Sequence, residues 1–295
     1  MKVLSRNTTE FAPNSEVLFV KAGDIDQVYR ITVTLPISKL IGEAPPHGTL
    51  VLDGDIMSTL APGVVNLLSM TKVIPPQVVV TVGYPLDSAT VWNNLRVRDL
   101  TPVSYKQWSK FQSRQTNSKC PDGGGAQKFL AFLNEELKIF IEAEYGVDPA
   151  EWTLTGASFG GLFSTFALIS DISRFSRYNI INPSYWFRAP FMQNLSNEFA
   201  AQLDPVKASV MFSVGALETS ELVAPHMSHL SVNEIALFGG VPDMMLDMME
   251  IAAIMRKRAG LRVSAVPIPD EDHYSVLGSA LTRGLRWLYS KPATK

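Results

Sequence analysis

Residues Glu151 to Leu168 read EWTLTGASFGGLFSTFAL. β-formers precede Ser158, a helical pattern follows it, and glycines stand at 156 and 160 on either side. Such a stretch predicts a strand that reverses sharply into a helix, with one hydroxyl on the tip of the turn. The glycines fit that geometry, because backbone passes close to backbone there and a side chain at either position is expected to collide. The order GASFGG does not give the G-x-G-x-x-G of a dinucleotide fingerprint.

Working outward, the same strand–loop–helix grammar recurs. GTLVLDGD, QVVVTVGYP, SVMFSVGALE and LRVSAVPIP are short apolar runs, as expected for strands buried on both faces. Lys128 to Tyr145 places Phe129, Phe132, Leu133, Leu137, Phe140 and Ile141 on one helical face. Helical patterns also cover GGLFSTFALIS, MMLDMMEIAAIMRKRAG and SVLGSALTRGLRWLYS. Strands alternating with helices predict a mostly parallel central sheet with helices on both faces. Near the start, SEVLFVKAG and QVYRITVTLP flank GDID and predict an antiparallel hairpin edge. The expectation is one α/β domain over residues 1–295, with a long loop insertion at about 86–127. A second irregular stretch, from Asn182 to Asn197, is rich in aromatics. Both should lie beyond the C-terminal ends of strands, where open α/β sheets bind ligands.

The bulk numbers set limits. A chain of 295 residues buries roughly three-quarters of its unfolded surface and needs no disulfide or metal to hold a core. A hydrophobic share of 46% and a charged share of 18% are those of an ordinary globular protein. The net charge of −2 gives no general pull toward nucleic acid or acidic membranes. One cysteine, Cys120, excludes an internal disulfide and fits a reducing compartment. No apolar h-region opens the chain and no run reaches the length of a membrane span, so a cytoplasmic location is expected. The sequons at Asn7 and Asn194 then carry no meaning. A homo-oligomer is compatible with the sequence but nothing in it fixes one.

Gly156-Ala157-Ser158-Phe159-Gly160 has the G-x-S-x-G spacing of a nucleophile elbow. Phe159 opens the helix, so its N–H lacks an intrahelical partner and is a donor for an oxyanion. A serine hydroxyl needs a base to become a nucleophile, and the chain has four histidines. His47 precedes a strand and falls at the wrong edge. His226 and His229 have a spacing that could bind metal, but no third ligand is evident and none is expected. His273 follows a strand and a short loop and precedes the final helix, where the base is needed. The orienting acid should fall between Ser158 and His273. Glu218, at the end of SVMFSVGALE, would emerge at the serine's edge. Glu221, Asp243 and Asp247 are less well placed, and Asp270, Glu271 and Asp272 read as loop charges. A serine–histidine dyad is the fallback. The second oxyanion donor should be the N–H of Gly54 or Asp55, in the turn after TLVLDGD.

With these residues placed, the chain resembles the "putative esterase" family of α/β hydrolases, which includes esterase D-type S-formylglutathione hydrolases, enterobactin-type siderophore esterases and mycolyl transferases. The resemblance runs from about Val17 to Tyr289. It rests on YRITVTLP, LVLDGD, VVTVGYP, RVRDLTP, GGGAQKFLAFLNEELKIFIEAEY, TLTGASFGGLFSTFAL, INPSYWF and DEDHYSVLGSALTRGLRWLY. RVRDLTP and the last three blocks are more similar to the siderophore-esterase branch. The resemblance implies Ser158 as nucleophile, His273 as base, Glu218 as acid and an LDGD oxyanion turn, with no metal or organic cofactor. It departs at the acid, since the branch is uneven in completing the triad with a carboxylate.

Between Arg96 and Lys119 stand six basic residues, Arg96, Arg98, Lys106, Lys110, Arg114 and Lys119, against one acid, Asp99. Trp92, Tyr105, Trp108 and Phe111 interleave with them. If this segment overhangs the serine, Arg96, Arg98 and Trp92 favour an anionic or catecholate-like ester. Tyr185, Trp186, Phe187 and Phe191 are candidates for an apolar wall against the acyl group. The bland alternatives are a solvated loop and ordinary core packing. The expected partner is a small-molecule ester, split through an acyl-enzyme. Two rival readings use the same scaffold: an acyltransferase, and a ligand-binding protein without catalysis.

Overall fold

The computed structural model describes residues 1–8, 14–37, 44–85, 89–172 and 174–291. Nine strands form one sheet: β1 (Lys2–Thr8), β2 (Ser15–Lys21), β3 (Val28–Thr34), β4 (His47–Val51), β5 (Gln77–Gly83), β6 (Trp152–Ala157), β7 (Arg177–Ile181), β8 (Ala208–Gly215) and β9 (Leu261–Ile268). Their order across it is β1-β2-β3-β5-β4-β6-β7-β8-β9. β1, β2 and β3 pair antiparallel, and β3 joins β5 antiparallel. From β5 to β9 all neighbours are parallel. The antiparallel margin therefore has one strand more than a hairpin. β1 is exposed along most of its length, so it carries no alternating burial for a sequence to display.

The helices are α1 (Gly54–Met70), α2 (Ala89–Leu100), α3 (Lys106–Thr116), α4 (Ala126–Ala131), α5 (Lys138–Tyr145), α6 (Phe159–Ser170), α7 (Phe191–Ala200), α8 (Ser220–Val223), α9 (Val232–Ile235), α10 (Met244–Met255) and α11 (Val276–Leu288). A π-helical stretch, Phe132–Leu137, joins α4 to α5. Helices α1 and α11 pack on each other and on one face of the sheet; α6, α7 and α10 belong to the other, with α2 and α4 against α6. Period-two alternation sorts the strands between the two cores. Val78, Val80 and Val82 of β5 enter the larger one and Val79 the smaller. Leu50 and Ile180 likewise face away from their neighbours Val51 and Ile181. That is why these strands read as unbroken apolar runs.

Several elements besides β1 differ from the sequence reading, among them α7, which begins at Phe191 inside the stretch read as irregular. Leu86, Asp87 and Ser88 lie outside the described residues, but from Ala89 the expected loop insertion is largely the helices α2 and α3, closed by a bridge between Ser104 and Gly123. Its period was hidden because α2 buries Arg96 and Asp99 beside Val97 and Leu100. Helix α1 carries Pro62 in its interior, which masks a helical pattern. β7 is five residues long and includes arginine and asparagine, so it too was missed.

The turn from β6 to α6 is as tight as expected, though unequally so. A Cβ at Gly156 would lie 2.2 Å from the Gly160 carbonyl oxygen, whereas one at Gly160 would have as its nearest neighbour an Asp53 carboxylate oxygen at 3.2 Å. Gly156→Ala should therefore cost about 1–3 kcal/mol through backbone displacement. Denaturant unfolding checks this, and Gly160→Ala should cost less in the same measurement.

Candidate active site

Parallel strands deliver their C-terminal ends to one edge, and the residues that follow β4, β6, β7, β8 and β9 meet there. Ser158, directly after β6, has φ 58° and ψ −118°. A non-glycine residue persists in such a conformation only where its surroundings enforce it. Its N–H donates to Ile181 O at 3.0 Å, and its carbonyl accepts from Leu162 N at 3.0 Å and Ser184 N at 3.1 Å. Its hydroxyl lies 3.1 Å from the Ser184 hydroxyl, which is its hydrogen-bond partner in this structure rather than His273.

His273 sits in the turn between β9 and α11, with Nδ1 3.0 Å from Glu218 Oε2. Glu218 comes three residues after β8 and its side chain is 12% exposed, against 25% for the imidazole. An ionised carboxylate at this distance draws the ring proton to Nδ1 and leaves Nε2 as the basic nitrogen. The neighbouring acids shape the loop. Asp272 accepts from the N–H groups of Tyr274 and Ser275, both at 2.8 Å, which hold its carboxyl below the usual range. Glu271 accepts from the Ser279 hydroxyl at 2.5 Å.

Two helix N-termini converge beside Ser158. Phe159 is the first residue of α6 and Gly54 the first of α1, so helix geometry leaves both N–H groups without an intrahelical acceptor. Asp53, at φ 56°, caps α1 and abuts Gly160. The Asp55 carboxylate turns away to the Tyr84 N–H at 3.1 Å and to Arg30 at 3.3 Å, and burial pushes its pKa up. Trp108, Trp186 and Phe187 surround the Phe159 ring at centroid distances of 5.8, 5.7 and 5.4 Å. They fix the residue whose N–H opens α6. A serine on a strained turn, a carboxylate-backed imidazole and two unpaired helix termini can together support acyl transfer.

The family model described as "Putative esterase" matches residues 99–220. Ferri-bacillibactin esterase BesA of Bacillus subtilis is 27% identical over 284 residues, which is 93% of this chain and 89% of the relative. The siderophore enterobactin esterase of Emericella nidulans is 27% identical over 234 residues, 72% of this chain and 71% of that one. The chain is similar to the esterases of this family along most of its length. It is a carboxylic ester hydrolase of the α/β-hydrolase fold. The siderophore hydrolase EstB of Aspergillus nidulans has the same fold, with a TM-score of 0.76 at 23% identity over 96% of this chain and 98% of its own.

In the esterase several residues expected to meet the substrate are occupied elsewhere. Arg96 is 7% exposed, and its guanidinium grips Asp53 through Nε–Oδ1 and Nη2–Oδ2, the latter at 2.9 Å. It also lies 4.6 Å above the Trp92 ring. Arg98 is bidentate to Asp99 at 2.7 and 2.8 Å and reaches Gln27 at 3.1 Å. Tyr185 is buried, its hydroxyl 2.6 Å from Thr165 Oγ1, so it is a core residue rather than a wall. Trp186 and Trp92 are half-buried against the aromatic cluster. Along α3 the basic and aromatic residues separate: Lys106, Lys110 and Arg114 are exposed, while Trp108 and Phe111 are buried. The segment is an amphipathic helix, which explains the interleaving without a ligand.

The remaining acids are also placed. Asp243 caps α10 by accepting from Leu246 N at 2.8 Å. Asp247 borders a small cavity with Tyr185, Pro190 and Glu250. The sequence reading missed Asn182 and Ser184, which touch His273 and Ser158; INPSYWF was read for its aromatics. It also missed Asp53 as the partner of Arg96.

Two outcomes follow from these charges. Arg96→Ala strands a buried carboxylate and should destabilise the esterase by about 3–5 kcal/mol, read by chemical denaturation. A loss confined to KM with unchanged stability would instead restore Arg96 as a substrate contact. Burial, reinforced by Glu250 and Asp243, pushes the Asp247 carboxyl up to about 6. The folded state then holds this proton more tightly than the unfolded chain, so stability is lost as pH rises from about 4 through 6. Asp247→Asn should raise the melting temperature at neutral pH and change it little near pH 4.

Proposed function

We propose that the esterase hydrolyses a siderophore-type ester, a small molecule with anionic or aromatic acyl groups, through an acyl-enzyme on Ser158. The observation that carries the mechanism is the 3.0 Å Glu218–His273 contact at the sheet edge where Ser158 occupies its strained turn. Two sequence relatives named as esterases of ferri-bacillibactin and enterobactin support the substrate class.

The Ser158 hydroxyl first exchanges Ser184 for His273 Nε2, a side-chain torsion of the kind that tightens when substrate binds. Oγ then attacks the ester carbonyl carbon while its proton passes to Nε2. The negative charge gathers on the carbonyl oxygen, where the N–H of Phe159 and that of Gly54 or Asp55 hold it. Each such donor contributes roughly 3–4 kcal/mol in the transition state. Collapse breaks the ester C–O bond, and the Nε2 proton goes to the departing alcohol. Water next attacks the acyl-serine, giving its proton to Nε2, and the tetrahedral adduct releases the acid as Ser158 recovers that proton. Glu218 stabilises the imidazolium in both halves.

Trp186 is the half-buried aromatic best placed to meet an aromatic acyl group, since it packs on Phe159 at 5.7 Å. Ser158→Ala or His273→Ala should lower kcat by about 10⁴–10⁶, and the double change should cost little more than either one. Turnover of p-nitrophenyl esters against a catecholate trilactone measures this, and losses that multiply would contradict a nucleophile and base acting as a unit. Activity confined to small neutral esters would discard the siderophore-type substrate.

A further inference from the structure

Asn182 follows β7 directly, is fully buried, and has φ 40°. A buried primary amide must satisfy an acceptor and two donors, and its partners decide which way it is turned. Here Oδ1 accepts from Gly215 N at 2.8 Å, and only an oxygen can meet that N–H. Nδ2 is therefore left facing the histidine loop, 3.2 Å from His273 O and 3.4 Å from His273 Nδ1. The Nδ1 proton is engaged by Glu218, so the amide donates to the carbonyl. The main chain of Asn182 adds a third tie, its N–H donating to Ser213 O at 2.8 Å.

Gly215 is the centre of the same seat. A Cβ there would lie 2.3 Å from Glu271 O, so the histidine loop rests directly on the end of β8. Glu218 N donates back to Gly215 O at 3.1 Å, and Leu217 N donates to Glu271 O at 3.1 Å. One asparagine side chain thus grips both the loop that carries His273 and the turn that carries Glu218. Its neighbour Ile181 holds the main chain of Ser158. Serine is too short to span both partners, and aspartate offers no donor.

We infer that Asn182 is a positioning residue that sets His273 against Glu218 and Ser158. This rests on the acyl-enzyme reading above. The charged and titratable groups around the imidazole are Glu218, from the turn after β8, and Asp272 and Tyr274 of its own loop. Asn182→Asp keeps the oxygen for Gly215 and the shape of the side chain, but places a second oxygen and a negative charge where the donor was. That charge favours the imidazolium.

The test compares kcat, KM and the pH profile of kcat/KM on p-nitrophenyl acetate for the full chain and for N182A, N182D and S158A, with melting curves for each. N182A should lose about 10–100-fold in kcat with KM little changed, as expected for a misplaced base. N182D should move the acid limb of kcat/KM up by on the order of one pH unit. A folded N182D with the original acid limb, or a folded N182A with the original kcat, overturns the inference. Loss of fold in both also overturns it, since the residue would then be structural. Turnover surviving in S158A would sink the acyl-enzyme reading itself, whereas an inactive S158A beside an unmoved N182D profile sinks only the role of Asn182.

Discussion

The backbone of Ser158 holds a conformation that costs of order 1–3 kcal/mol, and the rest of the molecule is arranged to keep it there. Gly156 lets β6 run within contact of the first turn of α6. The neighbouring strand supplies Ile181 O to the Ser158 N–H, and the segment after it returns through Ser184 N to the Ser158 carbonyl. Without a parallel neighbour in register, neither bond would form. Strain at this one residue is therefore balanced by sheet pairing rather than by local sequence.

The same edge gathers negative charge. Asp53, Asp55, Asp99 and Glu218 are all at or near it with little exposure, beside the helix termini proposed to hold a developing oxyanion. Each has a partner: Arg96 for Asp53, Arg30 for Asp55, Arg98 for Asp99 and His273 for Glu218. A buried carboxylate left alone would repel the oxyanion and destabilise the fold. The basic residues of α2 are thus explained by the acids they neutralise. Of these four acids Glu218 alone is partnered by an imidazole rather than a guanidinium.

Much of this was legible in the chain. The paired glycines, the β-to-helix change at Ser158 and the place of His273 before the last helix are local patterns, and local patterns survive in a linear text. The two antiparallel strands with alternating burial and the doubly buried parallel strands were readable for the same reason. β1, β7, α1 and α2 were not, because exposure, shortness, an internal proline or buried charges erased their periodicity. Arg96 and Arg98 looked like a substrate-facing patch because a sequence displays charge but not the direction in which a side chain leaves its helix.

By itself the sequence determined the residue types and the order in which strands and helices deliver them: a serine on a sharp turn, an acid after β8 and a histidine after β9. The tertiary structure decided which of those groups touch. Glu218 rather than Asp243 or Asp247 meets the imidazole, Asn182 seats the histidine loop, and Arg96 closes on Asp53. These contacts join residues 43 to 91 positions apart. Their partners are chosen by the lateral order of strands in the sheet, which no local periodicity encodes.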